Sequence, residues 1–239
     1  MNGNRGREGL RGGWDRLFHT LVAATAAAIV FAGFARTYYL KLWFGTPELP
    51  ALRHVHGLVM TSWFALYIIQ ARLIAVRRVD LHRRVGVAGA VLAALVVILG
   101  VTTGIDAARR GSSPGPHPLV FLVVPLADML VFGTLVTAGL WLRRRTDYHR
   151  RLILLATLSM LAAAFARIPL EVIRAGGPLA YFGLTDLFIL ICVVWDTKVN
   201  RRLHPAFGWG ALLVIASHPL RLLLGGTAAW TKLATWLTG

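Results

Sequence analysis

Cysteine is almost missing from this chain: Cys192 is the only one, and it lies inside an apolar run. An intrachain disulfide and a CxxC motif are therefore excluded. Lysine is nearly as scarce. Lys41, Lys198 and Lys232 all sit near the ends of apolar runs, so no retinal-type Schiff base has a candidate in the last of those runs. Acidic residues number 10 against 26 basic ones. There is no glycine-rich phosphate loop, nucleophile elbow or HExxH, which removes the commonest hydrolytic and nucleotide chemistries.

Apolar residues are what the chain has in excess. They make up 56% of 239 residues, with a mean hydropathy of +0.64. One soluble core of this size does not hide so much apolar surface. The net charge of +16 would suit nucleic acid. The arginines, however, fall in short clusters between apolar runs, as membrane topology signals do, so no nucleic-acid partner is expected.

Crossing the hydrocarbon takes roughly 20 apolar residues. Seven runs qualify: 18–38, 52–75, 82–105, 118–142, 148–172, 179–196 and 205–224. The expected fold class is all-α, a polytopic membrane bundle of seven transmembrane helices forming a single domain over 1–239. Residues 1–17 read as a basic tail. Residues 225–239 read as a short interfacial segment, with Trp230, Leu233 and Leu237 at helical spacing. The basic start, the apolar stretch and the small pair Gly33 and Ala35 also resemble, faintly, a cleavable signal peptide.

Counting Lys and Arg gives 17 on the side of the N-terminal tail and of the loops after the second, fourth and sixth spans, against 9 on the other. That asymmetry predicts the N-terminus inside and the C-terminus outside. Trp14, Trp141, Trp195 and Trp209 then fall at the inner interface, and Trp43, Trp230 and Trp236 at the outer one. The arginine-rich turns imply contact with anionic lipid headgroups at the cytoplasmic face of the bilayer.

An internal repeat stands out. Arg77-Arg-Val-Asp80-Leu-His82-Arg-Arg84 recurs 67 residues later as Arg144-Arg-Thr-Asp147-Tyr-His149-Arg-Arg151, and Arg201-Arg-Leu-His204-Pro is a degenerate third copy. The chain thus reads as one helix plus three hairpins. Asp80 and Asp147 suit helix N-caps. His82, His149 and His204 open successive helices, where the helix dipole favours the neutral imidazole, a form able to ligate a metal or haem iron. Three helix N-termini among arginines also suit an anion such as a lipid phosphate.

The other half of the bundle holds unusual polar residues. His56 shares a helical stripe with Met60, Trp63, Tyr67 and Gln70, whereas His54 points elsewhere. Asp128, Arg167, Asp186, His218 and Arg221 all lie within apolar runs, where an ionisable group costs at least about 2.5 kcal/mol and faces a partner or a cavity. They define an outward-facing ligand pocket of Asp128, Arg167, Asp186 and Arg221 with Trp63 and Gln70, in which Asp186 pairs with Arg167 or Arg221. Plainer readings are that Arg167 snorkels beside Glu171 and that Asp128 is protonated. Pro219 frees a backbone carbonyl beside His218. Gly100-x-x-x-Gly104 permits close helix contact.

The strings Leu81-His-Arg-Arg-Val-Gly86 and Tyr148-His-Arg-Arg-Leu-Ile153, with His54-Val-His56 upstream, resemble an uncharacterised family of bacterial predicted membrane proteins. That resemblance implies the bacterial inner membrane. Over residues 50–173 the alternating histidines are also similar to four-helix, two-haem cytochromes b. This second resemblance implies haem b as cofactor, with His82 and His149 as inner axial ligands. His56 would be an outer ligand, and His218 its partner for want of a histidine in the fourth span.

Three functions follow as expectations. The first is haem-based electron transfer across the membrane. The second is transport or small-ligand binding in the outer pocket, with Asp128 as the proton- or cation-responsive group. The third is a non-catalytic subunit or assembly factor with a partner in a larger membrane complex.

Overall fold

Lipid offers no hydrogen bonds, so a chain this apolar must satisfy its own backbone. Every regular element among the described residues is helical. The computed structural model describes residues 3–113 and 117–239, and side chains from residue 17 onward within them. The side chains of Arg5, Arg7, Arg11, Trp14 and Arg16 lie outside the described residues, as do residues 114–116 of the loop before the fourth run.

In chain order the helices are α1 (Gly3–Phe34), continued by a π-helical turn (Ala35–Tyr39), then α2 (Ala51–Ala75) and α3 (Val79–Arg109). There follow α4 (Pro118–Phe121), α5 (Val123–Trp141), α6 (Thr146–Ser159) and α7 (Ala162–Phe165). The chain ends in α8 (Glu171–Asn200), α9 (Pro205–Gly225) and α10 (Ala228–Thr238). Six segments are long and apolar enough to cross a membrane: Leu17–Tyr39, Ala51–Ala75, Val79–Arg109, Pro118–Trp141, Glu171–Asn200 and Pro205–Gly225.

The fifth run expected, 148–172, is broken into two helices. At its middle the backbone tightens to i→i−3 bonds, Leu161 N–H to the Leu158 carbonyl and Ala164 N–H to that of Leu161. The Ser159 hydroxyl bonds back to the Ala156 carbonyl, a contact that bends helices. Pro169 then ends the helical stretch, because it supplies no N–H and disfavours helix in the residue before it. The sixth run starts with a kink of its own: Gly177 has φ 51° and ψ −135°, next to Pro178 inside α8.

The broken segment is also the most enclosed. Leu154, Leu155, Ala156, Leu158, Leu161 and Ala164 have no exposed surface. α6 packs on α5, α8 and α9, and α7 packs on α1 and α8. From α2, the Trp63 indole N–H donates to the Thr157 hydroxyl at 3.3 Å, with its ring edge-on to Phe132. The surrounding helices turn bulky apolar side chains outward, among them Leu130 at 71% and Leu223 at 71% exposure, as a lipid-facing surface requires.

Glycines set the closest approaches. A Cβ on Gly33 would collide with the backbone of Ala164, and one on Gly100 with the Met129 side chain. Gly104 faces Pro125, so the Gly100-x-x-x-Gly104 stripe is the seam between α3 and α5.

At the end opposite the arginine-rich turns, α10 packs against α3 and α4. Its buried residues are Trp230 and Ala234, whereas Leu233 is 46% exposed. Trp230 was expected in the interfacial belt. Its indole N–H instead donates to the Leu119 carbonyl at 2.9 Å, which draws the ring under the helix. Trp43, Trp141, Trp209 and Trp236 are exposed near helix ends, as the belts require.

Candidate functional site

The three arginine-rich turns come together at one end of the bundle. Their helices start at Val79, Thr146 and Pro205, so Asp80 and Asp147 stand in the first turn rather than at the cap expected for them. The second copy is the hub. Its Asp147 carboxylate meets the His204 Nε2 of the third copy at 2.9 Å, and its His149 ring lies edge-on to the His82 ring of the first, with centres 6.3 Å apart. His204 Nδ1 accepts the Ala206 N–H at 3.2 Å, so Nε2 carries the hydrogen given to Asp147. That hydrogen bond, first among its causes, holds the Asp147 carboxyl below the usual carboxylate range. His149 Nδ1 sits 2.8 Å from the Gly139 carbonyl, which can only accept, so Nδ1 carries the hydrogen of that bond. Gln70 donates to the His82 carbonyl at 3.3 Å. It belongs to this end and not to the outer pocket.

Behind these turns lies a pair that composition and spacing did not single out. Arg151 holds Asp196 through two bonds of 3.0 and 2.6 Å, with side-chain exposures of 2% and 3%. A third guanidinium bond reaches the Asp147 carbonyl at 2.8 Å. Asp196 inside an apolar run was the available signal. Arg151 hid among arginines that serve topology.

The other half of the bundle holds a second cluster, on α5, α8 and α9. Arg221 binds Asp128 at 2.5 Å and the Ser217 carbonyl and hydroxyl at 3.2 and 2.8 Å. One turn away, His218 Nδ1 stands 2.9 Å from Asp186 Oδ1, within ion-pair distance. Neither ring nitrogen of His218 has a hydrogen-bond partner, and the ring is stacked on Phe182 with centres 4.4 Å apart. Phe182 also lies under the Arg221 guanidinium, which binds the two halves into one unit. His218 and Arg221 are each 2% exposed and Asp128 8%.

The pocket expected from the sequence is thus brought together in part. Asp128, Asp186, Arg221 and His218 meet, but Arg221 takes Asp128 as its partner and Asp186 goes to the histidine. Trp63 belongs to the apolar core beside Thr157. Arg167 stands apart with α1, its guanidinium 4.7 Å from the Phe34 ring centre, and does not pair with Asp186 or Glu171. The buried Nδ1 of His56 has no hydrogen-bond partner. No contact joins it to His218, so the expected outer histidine pair is not assembled among the described residues.

Six helices long and apolar enough to cross a membrane, packed around an apolar core that holds two polar clusters, define the class: an integral, multi-pass membrane protein. Comparison with known proteins finds no matching family model, no matching curated protein and no matching solved structure.

Proposed function

We propose that this protein is a proton-responsive transporter or small-ligand-binding protein of the bacterial inner membrane, centred on Asp128, Arg221, His218 and Asp186. One observation carries the reading. Arg221 holds Asp128 and His218 stands against Asp186, so two carboxylates share one fixed cation and one histidine, all on helices long and apolar enough to cross a membrane. Such a group is neutral only when it holds one more proton, and buried net charge is strongly disfavoured. Proton gain and loss here therefore change the charge of the bundle interior, which a ligand or cation that binds there can compensate. With Asp128 committed to Arg221, the responsive groups are His218 and Asp186. Infrared difference spectra between acid and neutral pH should show an imidazole–carboxylate protonation change in the reconstituted protein. It should vanish in both His218→Gln and Asp186→Asn. A change that survives both substitutions sinks the reading.

A second reading has its own observation at the arginine-rich end. Two ligating nitrogens, each about 2 Å from one metal, place imidazole centres about 6 Å apart. The His82 and His149 rings have that spacing, and the carbonyl bond at Nδ1 of His149 is a common support for a ligating histidine. These two residues fit the axial positions of one haem b, which would supply one-electron chemistry. Nothing supports a second haem, because His56 and His218 are apart. Absorption spectra of oxidised and dithionite-reduced protein decide the matter: a Soret band lost in His149→Ala favours haem, and its absence after haem-supplemented expression dismisses it.

Both readings take α6 and α7 as a seventh crossing, so that the arginine-rich turns share the cytoplasmic side.

A further inference from the structure

The start of a helix is ordinarily capped by Ser, Thr, Asp or Asn, whose side-chain oxygen accepts an N–H of the first turn through neutral and mildly acidic pH. α9 is capped instead by a histidine. Pro205, at its first position, has no N–H, so the Ala206 N–H is the first that needs an acceptor. His204 supplies it through Nδ1 at 3.2 Å, and its own carbonyl takes the N–H groups of Phe207 and Gly208 at 2.9 Å each. The first turn thus hangs on one residue. Ala206 is 4% exposed and Phe207 has no exposed surface, so solvent does not stand in for a lost acceptor.

The other ring nitrogen fastens this cap to α6. Nε2 gives its hydrogen to the Asp147 carboxylate at 2.9 Å, and the ring stands edge-on to Tyr148 with centres 4.6 Å apart. Several charged groups surround the pair. Arg151 of α6 holds the Asp147 carbonyl and pairs with Asp196 of α8, and its guanidinium lies 5.6 Å from the centre of the Phe207 ring. Arg145 lies over Tyr148, and Arg201 and Arg202 precede His204 in an exposed turn.

With Nδ1 accepting and Nε2 donating, the ring is a neutral imidazole. Imidazole is also the side chain that takes up a proton between pH 8 and pH 5. A proton on Nδ1 turns the acceptor into a donor that faces the donor of Ala206. The cap is lost, and a positive ring is left at the positive end of the α9 dipole. The two carboxylates nearby do little to offset this: Asp147 is half exposed, so water screens it, and Asp196 is already paired with Arg151.

We propose that His204 is an acid-sensitive latch, in which protonation of Nδ1 releases the Ala206 N–H and frees the first turn of α9 from α6. The latch is shut while the ring is neutral and opens as pH falls through the imidazole range. α9 also carries His218 and Arg221, but the latch rests on its own contacts and not on that cluster.

Hydrogen exchange of the purified full chain in lipid nanodiscs tests this. It is read by mass spectrometry on peptides covering 204–210 and corrected for the intrinsic pH dependence of exchange. A buried donor left without an acceptor shifts a local opening equilibrium about tenfold or more. Protection of this segment should therefore fall by about that factor between pH 8 and pH 5, while peptides of α3 hold theirs. His204→Asn, which caps without titrating, should be protected alike at both. Should His204→Asn not fold, nitrogen-15 spectra of the histidine-labelled parent carry the test, with His204 assigned by its loss in His204→Gln. Its Nδ1 should be unprotonated at pH 8 and protonated at pH 5. Unchanged protection in the parent, a fall that persists in His204→Asn, or an Nδ1 that keeps one state across this range overturns the proposal.

Discussion

Arg84 and Arg151 hold the same place in two copies of one motif, yet Arg84 is exposed and Arg151 is 2% exposed. The difference lies in what stands opposite. α8 brings Asp196 to Arg151, whereas no carboxylate among the described residues pairs with Arg84. A buried ion pair is weak evidence of net stabilisation, because both charges lose water, but breaking one strands the other. Asp196→Asn is therefore expected to lower stability by about 3–5 kcal/mol. The double substitution Arg151→Met with Asp196→Leu should recover most of that loss. Denaturation of the purified variants measures both, and a double variant as weak as the single one would show that the pair does more than balance charge. The same logic separates Asp128 from Asp186: the first has a full-time cation in Arg221, the second has only a histidine whose charge varies.

Among the elements, the broken α6–α7 segment was the hardest to read. It met the length for a crossing, but a scale of hydropathy does not register that a helix sheltered from lipid by its neighbours has no need to be uniformly apolar. Arg151, Thr157 and Ser159 are tolerated there because α5, α8 and α9 supply their partners or cover them. The expected run of 148–172 passed over Pro169, whose missing N–H ends the helical stretch. Close contact with α1 is set at Gly33, where added side-chain bulk meets backbone and not a movable side chain. Gly33→Ala should thus cost about 1–3 kcal/mol, while Gly183→Ala, which faces open space, should be neutral or stabilising. Thermal unfolding of the two variants side by side tests this, and equal effects would remove Gly33 from the α1–α7 contact.

For the molecule as a whole, sidedness decides which solution each cluster meets. Seven crossings put Arg145 and Arg201 on the same side. Reporter fusions after each should both be active as cytoplasmic fusions, and a fusion after Gly111 should report the opposite side. If the fusions after Arg145 and Arg201 disagree, α6–α7 does not cross, and the polar clusters no longer lie at fixed depths.

The sequence by itself determined the membrane as solvent, the helical class and the places where the chain turns. All three depend on local composition: apolar length, arginine clusters, and Pro or Gly at the breaks. It also marked Asp128, Asp186, His218, Arg221, His82 and His149 as unusual, since an ionisable group in an apolar run is conspicuous without any knowledge of its neighbours. Only the tertiary structure decided the partners. Arg221 chose Asp128 over Asp186, Arg151 found Asp196, and His56 was separated from His218, because pairing in a bundle depends on which helices are adjacent and how each is rotated. Spacing along one helix carries neither.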